Sequence, residues 1–235
     1  MSLNIVREID DRVRVRNVLM SVSDKTGLET FVPALVGACP GVRIYSTGGT
    51  YAKVREILGP GADGTLVAVS DYTGQPEMQG GLVKTLDFKI YLGLLSETYN
   101  AAHRDDLRRL DASPIDMVVV NLYPFQATVA RDGVTPELAR TNIDIGGPCM
   151  VRASAKNYIR VASVTDTADY PALLAELRAK VGRKNHAPLR VDCVRVLAHE
   201  HLFSPPFRIQ QPHSTTFHHF MHYFFAFPPQ KIRIF

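Results

Sequence analysis

Apolar and polar positions along this chain alternate between two periods. "RNVLMSVS" (16–23) is a short apolar run that predicts a strand, and "KTGLETFVPALVGA" after it has helical spacing. "GVRIYST" predicts a second strand and "TYAKVREILG" a second helix. "GTLVAVSDYT" predicts a third strand. "MVVVNLYPF" (117–125) is almost continuously apolar, which suits a strand buried on both faces of a parallel sheet. "TPELARTNI" predicts a helix capped by Thr135 with Glu137 in its first turn. "YIRVASVTD" (158–166) predicts another strand and "TADYPALLAELRAKV" another helix. Strands alternating with helices predict an α/β fold, a parallel sheet flanked by helices.

The pattern breaks near residue 185. Residues 201–235 contain 8 of the 11 phenylalanines, 5 of the 15 prolines and 5 of the 8 histidines, with no acidic residue. We therefore divide the chain into a 1–200 domain and an atypical 201–235 appendage. The appendage is either an interaction tail or the product of a reading-frame change. Its histidines, with His199, fit no compact zinc spacing.

Composition narrows the function. The net charge of +4 comes mostly from the appendage, since residues 1–200 carry 24 Lys and Arg against 23 Asp and Glu. A basic nucleic-acid face is not expected. No apolar run reaches 18 residues, so no membrane span is expected. The charged N-terminus lacks the apolar stretch of a signal peptide. Cys39, Cys149 and Cys193 are widely spaced and form no CxxC pair, which predicts a reduced, cytoplasmic protein without disulfides or structural zinc.

Ligands of an open parallel sheet bind outside the carboxyl ends of its strands. Polar turns fall at those ends: Ser21, Ser23, Lys25 and Thr26, then Ser46-Thr47-Gly48-Gly49-Thr50, then Asn121 and Tyr123. Glycines let backbone approach an anion, and a following helix start attracts one. Hydroxyls and Lys25 make phosphate the best ligand for these turns. The same glycines also suit an ordinary strand-to-helix turn, and the motif is neither GxGxxG nor a P-loop. Two further stretches carry chemistry: Lys84 and Thr85 after a glycine pair, and Asp144 before Gly146-Gly147, with Lys156 beyond. Taken alone, Asp144 reads first as a helix cap, and Tyr123 as a core aromatic with a wet hydroxyl.

Taken in order, "SVSDKTGL", "STGGT", "VSDYTGQPEM", "VKTLDFKI", "IDMVVVNLYPFQATVA", "NIDIGGPCMVRASAKN" and "DTADYPALLAEL" resemble the IMP cyclohydrolase domain. That domain is the half of the bifunctional purine-biosynthesis enzyme that accompanies AICAR formyltransferase. The resemblance spans residues 16 to 178 and implies a methylglyoxal-synthase-like three-layer domain. It implies ring closure of 5-formamidoimidazole-4-carboxamide ribonucleotide to IMP and water, without metal or organic cofactor, in a homodimer. Carried over, it implies substrate contacts at Ser23, Lys25, Ser46, Thr47, Gly48, Gly49, Thr85, Asn121, Gly146 and Gly147. It implies catalytic roles for Lys84, Tyr123, Asp144 and Lys156, the last three as a proton relay. This chain departs from the family at Leu82, where an arginine is usual, and at Asp87-Phe88, where His-Pro is usual. The transformylase half is expected to lie on another chain. Two other readings stand beside this one: a nucleotide-binding regulatory module without catalysis, and a methylglyoxal-synthase-type phosphate lyase.

Overall fold

The computed structural model describes residues 5–6, 8–9, 13–76 and 84–181. The 201–235 appendage and Leu82 lie outside the described residues. Five parallel strands form one sheet: β1 Asn17–Val22, β2 Arg43–Ser46, β3 Leu66–Ala68, β4 Met117–Asn121 and β5 Ala162–Val164. Their spatial order is β3-β2-β1-β4-β5. β1 is central, with Leu19 opposite Tyr45 on one side and Val118 on the other.

Alternating side chains of β1 and β4 explain the layers. Val18, Met20, Met117 and Val119 face one core. That core is closed by α1 (Leu28–Ala38), α2 (Gly48–Leu58) and α9 (Tyr170–Val181). In α1 the buried positions are Leu28, Phe31, Val32 and Leu35, one stripe of an amphipathic helix. Phe31 stacks on Tyr170 of α9 with ring centroids 4.3 Å apart. Leu19, Val118 and Val120 face the opposite core. There they meet α3 (Val69–Thr73), α4 (Phe88–Leu95) and α8 (Gly146–Lys156). α5 (Ala101–Arg109) sits beside α4, and α6 (Phe125–Val129) and α7 (Pro136–Thr141) connect β4 to α8. This is the expected three-layer α/β domain.

Several boundaries differ from the sequence reading. The strand expected over 64–73 ends at Ala68, and Val69–Thr73 turn helical before Gly74 closes them at φ 74°. β3 is a partly exposed edge strand, so three residues of pairing suffice to place it. The apolar run 117–125 leaves the sheet at Asn121, because Pro124 cannot supply a ladder N–H. The strand expected from 158 begins at Ala162, after the capping turn that follows α8. The hydrophobic pattern does not signal α4, α5 or α8; α8 opens with Gly-Gly-Pro, which looks like a turn when met without its partners.

The amino edge of the sheet carries a buried ion pair. Arg160 Nη1 lies 3.2 Å from Asp116 Oδ1, and both side chains are close to nine-tenths buried. Arg160 also donates to the carbonyls of Ser96, Gly93 and Ile115. Asp116 Oδ2 accepts the backbone N–H groups of Arg16 and Asn17 at 2.9 and 3.0 Å. Burial pushes Asp116 up and Arg160 down from their ordinary pKa values, and each opposes the other's shift by its charge. Asn157 completes the group, donating to Leu94 O and Ser96 O. Among the described residues, no helix is long and apolar enough to cross a membrane.

Candidate anion and nucleotide site

The strand order reverses beside β1, so the crevice of this sheet opens between the carboxyl ends of β1 and β4. Four segments meet there. The first is the turn after β1. Val22 is held at both backbone groups by Thr50 Oγ1, which accepts from Val22 N and donates to Val22 O, each at 3.0 Å. Ser23 N and Asp24 N donate to Asn121 Oδ1 at 2.7 and 2.8 Å. Asp24 Oδ1 in turn accepts from Thr26 N and Oγ1, and these bonds hold the Asp24 carboxyl below its usual pKa. Lys25 folds back so that Nζ donates to Ser23 O at 3.3 Å and Val22 O at 3.5 Å.

The second segment is the start of α2. Gly48 and Gly49 are its first two residues rather than loop. Gly48 has φ +48°, and a Cβ built on it would lie 2.6 Å from Lys84 Nζ. A Cβ on Gly49 would lie 3.7 Å from Lys25 Nζ. Two ammonium groups therefore rest on the exposed N–H end of one helix. That end already carries about half a positive charge. Cations at this end repel the helix dipole, and an anion placed there relieves the repulsion.

The third segment is the Lys84-Thr85 dipeptide. Its two side chains serve different helices. Lys84 reaches the start of α2, and Thr85 Oγ1 occupies the space that a Cβ on Gly146 would need, at the start of α8. Thr85 is buried. Asp87 just beyond caps α4 by accepting from Lys89 N at 2.8 Å. The residue that replaces the usual histidine thus has a local job, because an aspartate is a strong helix cap.

The fourth segment runs from β4 to α8. Asp144 Oδ1 accepts from Gly147 N at 2.8 Å, and Oδ2 accepts from Tyr123 N at 3.4 Å. Both sequence readings of Asp144 meet here, since it caps α8 and stands in the cleft. Gly147 leaves no room for a side chain, with Asp144 Oδ2 2.5 Å and Leu122 Cδ2 2.6 Å from a built Cβ. Tyr123 is about half exposed, so it is not a core aromatic.

The structure gathers Ser23, Lys25, Thr47, Gly48, Gly49, Lys84, Thr85, Asn121, Tyr123, Asp144, Gly146 and Gly147 in these four segments. Two expected residues stand apart. Ser46 is fully buried, and its hydroxyl donates to Met20 O at 2.8 Å, across the β1–β2 pair. Its side chain holds the sheet and does not face the cleft. Lys156 is the last residue of α8, ten residues beyond Gly146 and exposed. At 1.5 Å rise per residue, roughly 15 Å of helix separates it from the Asp144 end. Within one chain, Lys156 therefore does not join Asp144 and Tyr123 in the relay expected from sequence. Thr50 was read only as a further hydroxyl donor. Its role as the clamp on Val22 needed the spacing of α2 behind β1.

Among the described residues, no group of three His, Cys, Asp or Glu is placed to hold a metal. Cys39 is buried and Cys149 half-buried, both as free thiols.

The fold is matched by comparison with known proteins. The MGS-like domain family matches residues 29–149, more than half of the chain. The chain belongs to the MGS-like domain family. Within this MGS-like domain, the matched stretch runs from α1 into the first turn of α8 and so takes in most of the cleft. The chain is 51% identical over 170 residues to the bifunctional purine biosynthesis protein PurH of Magnetococcus marinus, covering 72% of this chain and 31% of that protein. It is 47% identical over 186 residues to the PurH of Sorangium cellulosum, covering 79% and 34%. This MGS-like chain thus spans about a third of the length of the curated relatives it matches. A solved structure described as "Crystal structure of ForH" is 29% identical with a TM-score of 0.59, covering 72% of this chain and 81% of that one.

Proposed function

We propose that this MGS-like domain acts in purine biosynthesis as an IMP cyclohydrolase. It would close 5-formamidoimidazole-4-carboxamide ribonucleotide to IMP and water. The observation that carries the reading is the pair of ammonium groups, Lys25 and Lys84, resting on Gly49 and Gly48 at the start of α2. A ribotide phosphate suits that seat, and Ser23 of the β1 turn and Thr47, the residue before α2, are the hydroxyl residues assigned to it. The PurH relatives supply the purine part of the reading.

The reaction asks for three things. The carboxamide nitrogen attacks the formyl carbon of the same molecule, forming the ring C–N bond. Negative charge grows on the formyl oxygen, and the amide nitrogen loses a proton before water leaves. Phosphate anchoring at α2 orients the folded substrate. Lys84 stands one residue from Thr85 at the start of α8, and so is placed to meet charge developing between the two helices. Gly147 N–H is held by Asp144, so Gly146 is the backbone donor assigned to the oxyanion. Asp144 and Tyr123 remain as the polar groups through which the proton leaves. The test is direct. Purified protein incubated with the formylated ribotide should generate IMP absorbance, and Lys84→Ala should abolish most of it. Turnover in the Lys84 variant at the wild-type rate would remove Lys84 from the mechanism.

One observation favours a second reading. Lys156 lies at the far end of α8 from Asp144, which suits a module that binds the nucleotide without turning it over. Tight IMP binding with no product from the formylated ribotide would select that reading. Methylglyoxal-synthase-type lyase activity is checked in the same preparation by consumption of dihydroxyacetone phosphate. The proposed homodimer is checked by light scattering.

A further inference from the structure

We propose that Asn121 is a positioning residue: it sets the β1 turn, and through it Lys25, without touching the ligand's phosphate. The inference rests on the reading that this cleft binds a phosphate-bearing ribotide. Sequence resemblance made Asn121 a substrate contact, but its hydrogen bonds point elsewhere. Asn121 is the last residue of β4, paired with Val22, the last residue of β1. Its Oδ1 accepts from Ser23 N and Asp24 N, and its Nδ2 donates to Asp24 O at 2.8 Å. Both acceptor positions of the amide and one of its two N–H groups are thereby used. The side chain imitates a peptide group and continues the β1–β4 ladder past the point where the strands end.

This has a consequence for how the anion is held. Elsewhere a turn after the first strand can offer its backbone N–H groups to a phosphate. Here the N–H groups of Val22, Ser23, Asp24 and Thr26 are taken by Thr50, Asn121, Asn121 and Asp24. With these four N–H groups occupied, the side-chain donors of the β1 turn are the Ser23 hydroxyl and the Lys25 ammonium. The backbone donors for the anion come from α2. Lys25 can rest near Gly49 because its own turn is fixed, with Nζ directed over the Val22 and Ser23 carbonyls. Asn121 acts on ligand affinity through that fixed turn.

A double-mutant cycle separates action through the turn from direct contact. IMP and ribose 5-phosphate are titrated calorimetrically into wild type, Asn121→Ala, Lys25→Ala and the double variant. Each single variant is expected to weaken both probes by about tenfold, the equivalent of about 1.4 kcal/mol. The double variant is expected to stay within about threefold of Lys25→Ala. A double loss near the product of the two, about a hundredfold, means that Asn121 makes its own ligand contact and overturns the proposal. Amide hydrogen exchange without ligand gives the second readout. Ser23 N–H also donates to the Asn121 backbone carbonyl at 3.4 Å, so Asp24 is the reporter: it should be protected in wild type and in Asn121→Asp, whose carboxylate still accepts its bond, and should exchange rapidly in Asn121→Ala. Protection that survives in Asn121→Ala overturns the proposal. If Asn121→Ala does not fold, Asn121→Ser carries the same cycle. Ribose 5-phosphate binding with no preference for IMP would sink the purine reading and leave the positioning role intact. If wild type binds neither probe, both fall.

Discussion

The two ends of the β1–β4 pair use one device with opposite results. At the amino end, a side chain preceding β4 accepts two consecutive N–H groups preceding or opening β1: Asp116 takes Arg16 and Asn17. At the carboxyl end, the last residue of β4 accepts two consecutive N–H groups after β1: Asn121 takes Ser23 and Asp24. The amino-end acceptor is a carboxylate, and its charge is matched internally by Arg160. The carboxyl-end acceptor is a neutral amide. The nearby cations, Lys25 and Lys84, lie beside the glycines of α2. A charge matched deep inside the protein makes a foundation, whereas two ammonium groups beside a helix start make a seat for an anion.

The largest expected effect tests the closed end. Arg160→Ala leaves Asp116 buried without its ion partner and takes one donor from each of three carbonyls, and breaking such a pair costs about 3–5 kcal/mol. Urea denaturation should show this loss, and a change below about 1 kcal/mol would mean that the amino end is not a foundation. At the open end, Lys25→Ala should weaken IMP binding by tenfold or more, since a charge-assisted bond contributes about 1.5–3 kcal/mol. Its effect on unfolding should be small or slightly stabilising without ligand, because a cation leaves a positive helix end. Wild-type IMP affinity should also fall between 50 mM and 500 mM salt. An affinity indifferent to both changes would erase the contrast between the ends.

Gly48→Ala sharpens the contrast further. The new methyl would displace Lys84 Nζ, and a left-handed backbone costs a non-glycine residue about 1–2 kcal/mol. IMP binding should weaken more than stability falls, as measured by titration and urea midpoint on one preparation. Equal losses would mean that Gly48 serves the turn alone. The smallest effect concerns Cys39, which ends α1 next to the amino edge. Burial pushes its thiol up to about 11, from an ordinary 9.0. Between those values the unfolded chain releases the proton and the folded chain keeps it. The stabilisation is therefore complete below pH 9 and lost as pH rises through 11. Cys39→Ala should flatten the wild-type decline in unfolding free energy, measured by urea denaturation, over that range by on the order of 1–3 kcal/mol. An unchanged decline would show that Cys39 is not sealed from solvent.

The open end was more legible in sequence than the closed one. Lys25, Gly48, Gly49, Lys84, Thr85, Asp144 and Gly147 announce themselves by clustering in short polar stretches at strand ends. Arg160 and Asp116 are ordinary charged residues in sequence, 44 positions apart. Only the β4–β5 register brings them together. The same limit explains Ser46, whose hydroxyl looks like a ligand donor until the β1–β2 register turns it toward Met20. It explains Lys156 as well: motif spacing fixes its distance along the chain, while the straightness of α8 decides where it ends up. Strand positions were read well where both faces are buried, as in β1 and β4, and poorly at the edges, where short pairing leaves little apolar signal.

The bonds that clamp β1 to β4 join residues 97 to 100 positions apart. That separation sets the timing of assembly. Closing a chain loop costs more entropy as it lengthens, by about 0.6 kcal/mol for each doubling. Contacts so distant in sequence also slow folding. The turn bearing Lys25 leaves the ribosome early, but it has no fixed shape until Asn121 has been made and β4 has docked. At about 5–20 residues per second, that wait is on the order of 5–20 s. Foundation and ligand seat therefore mature in one step, when the central pair closes.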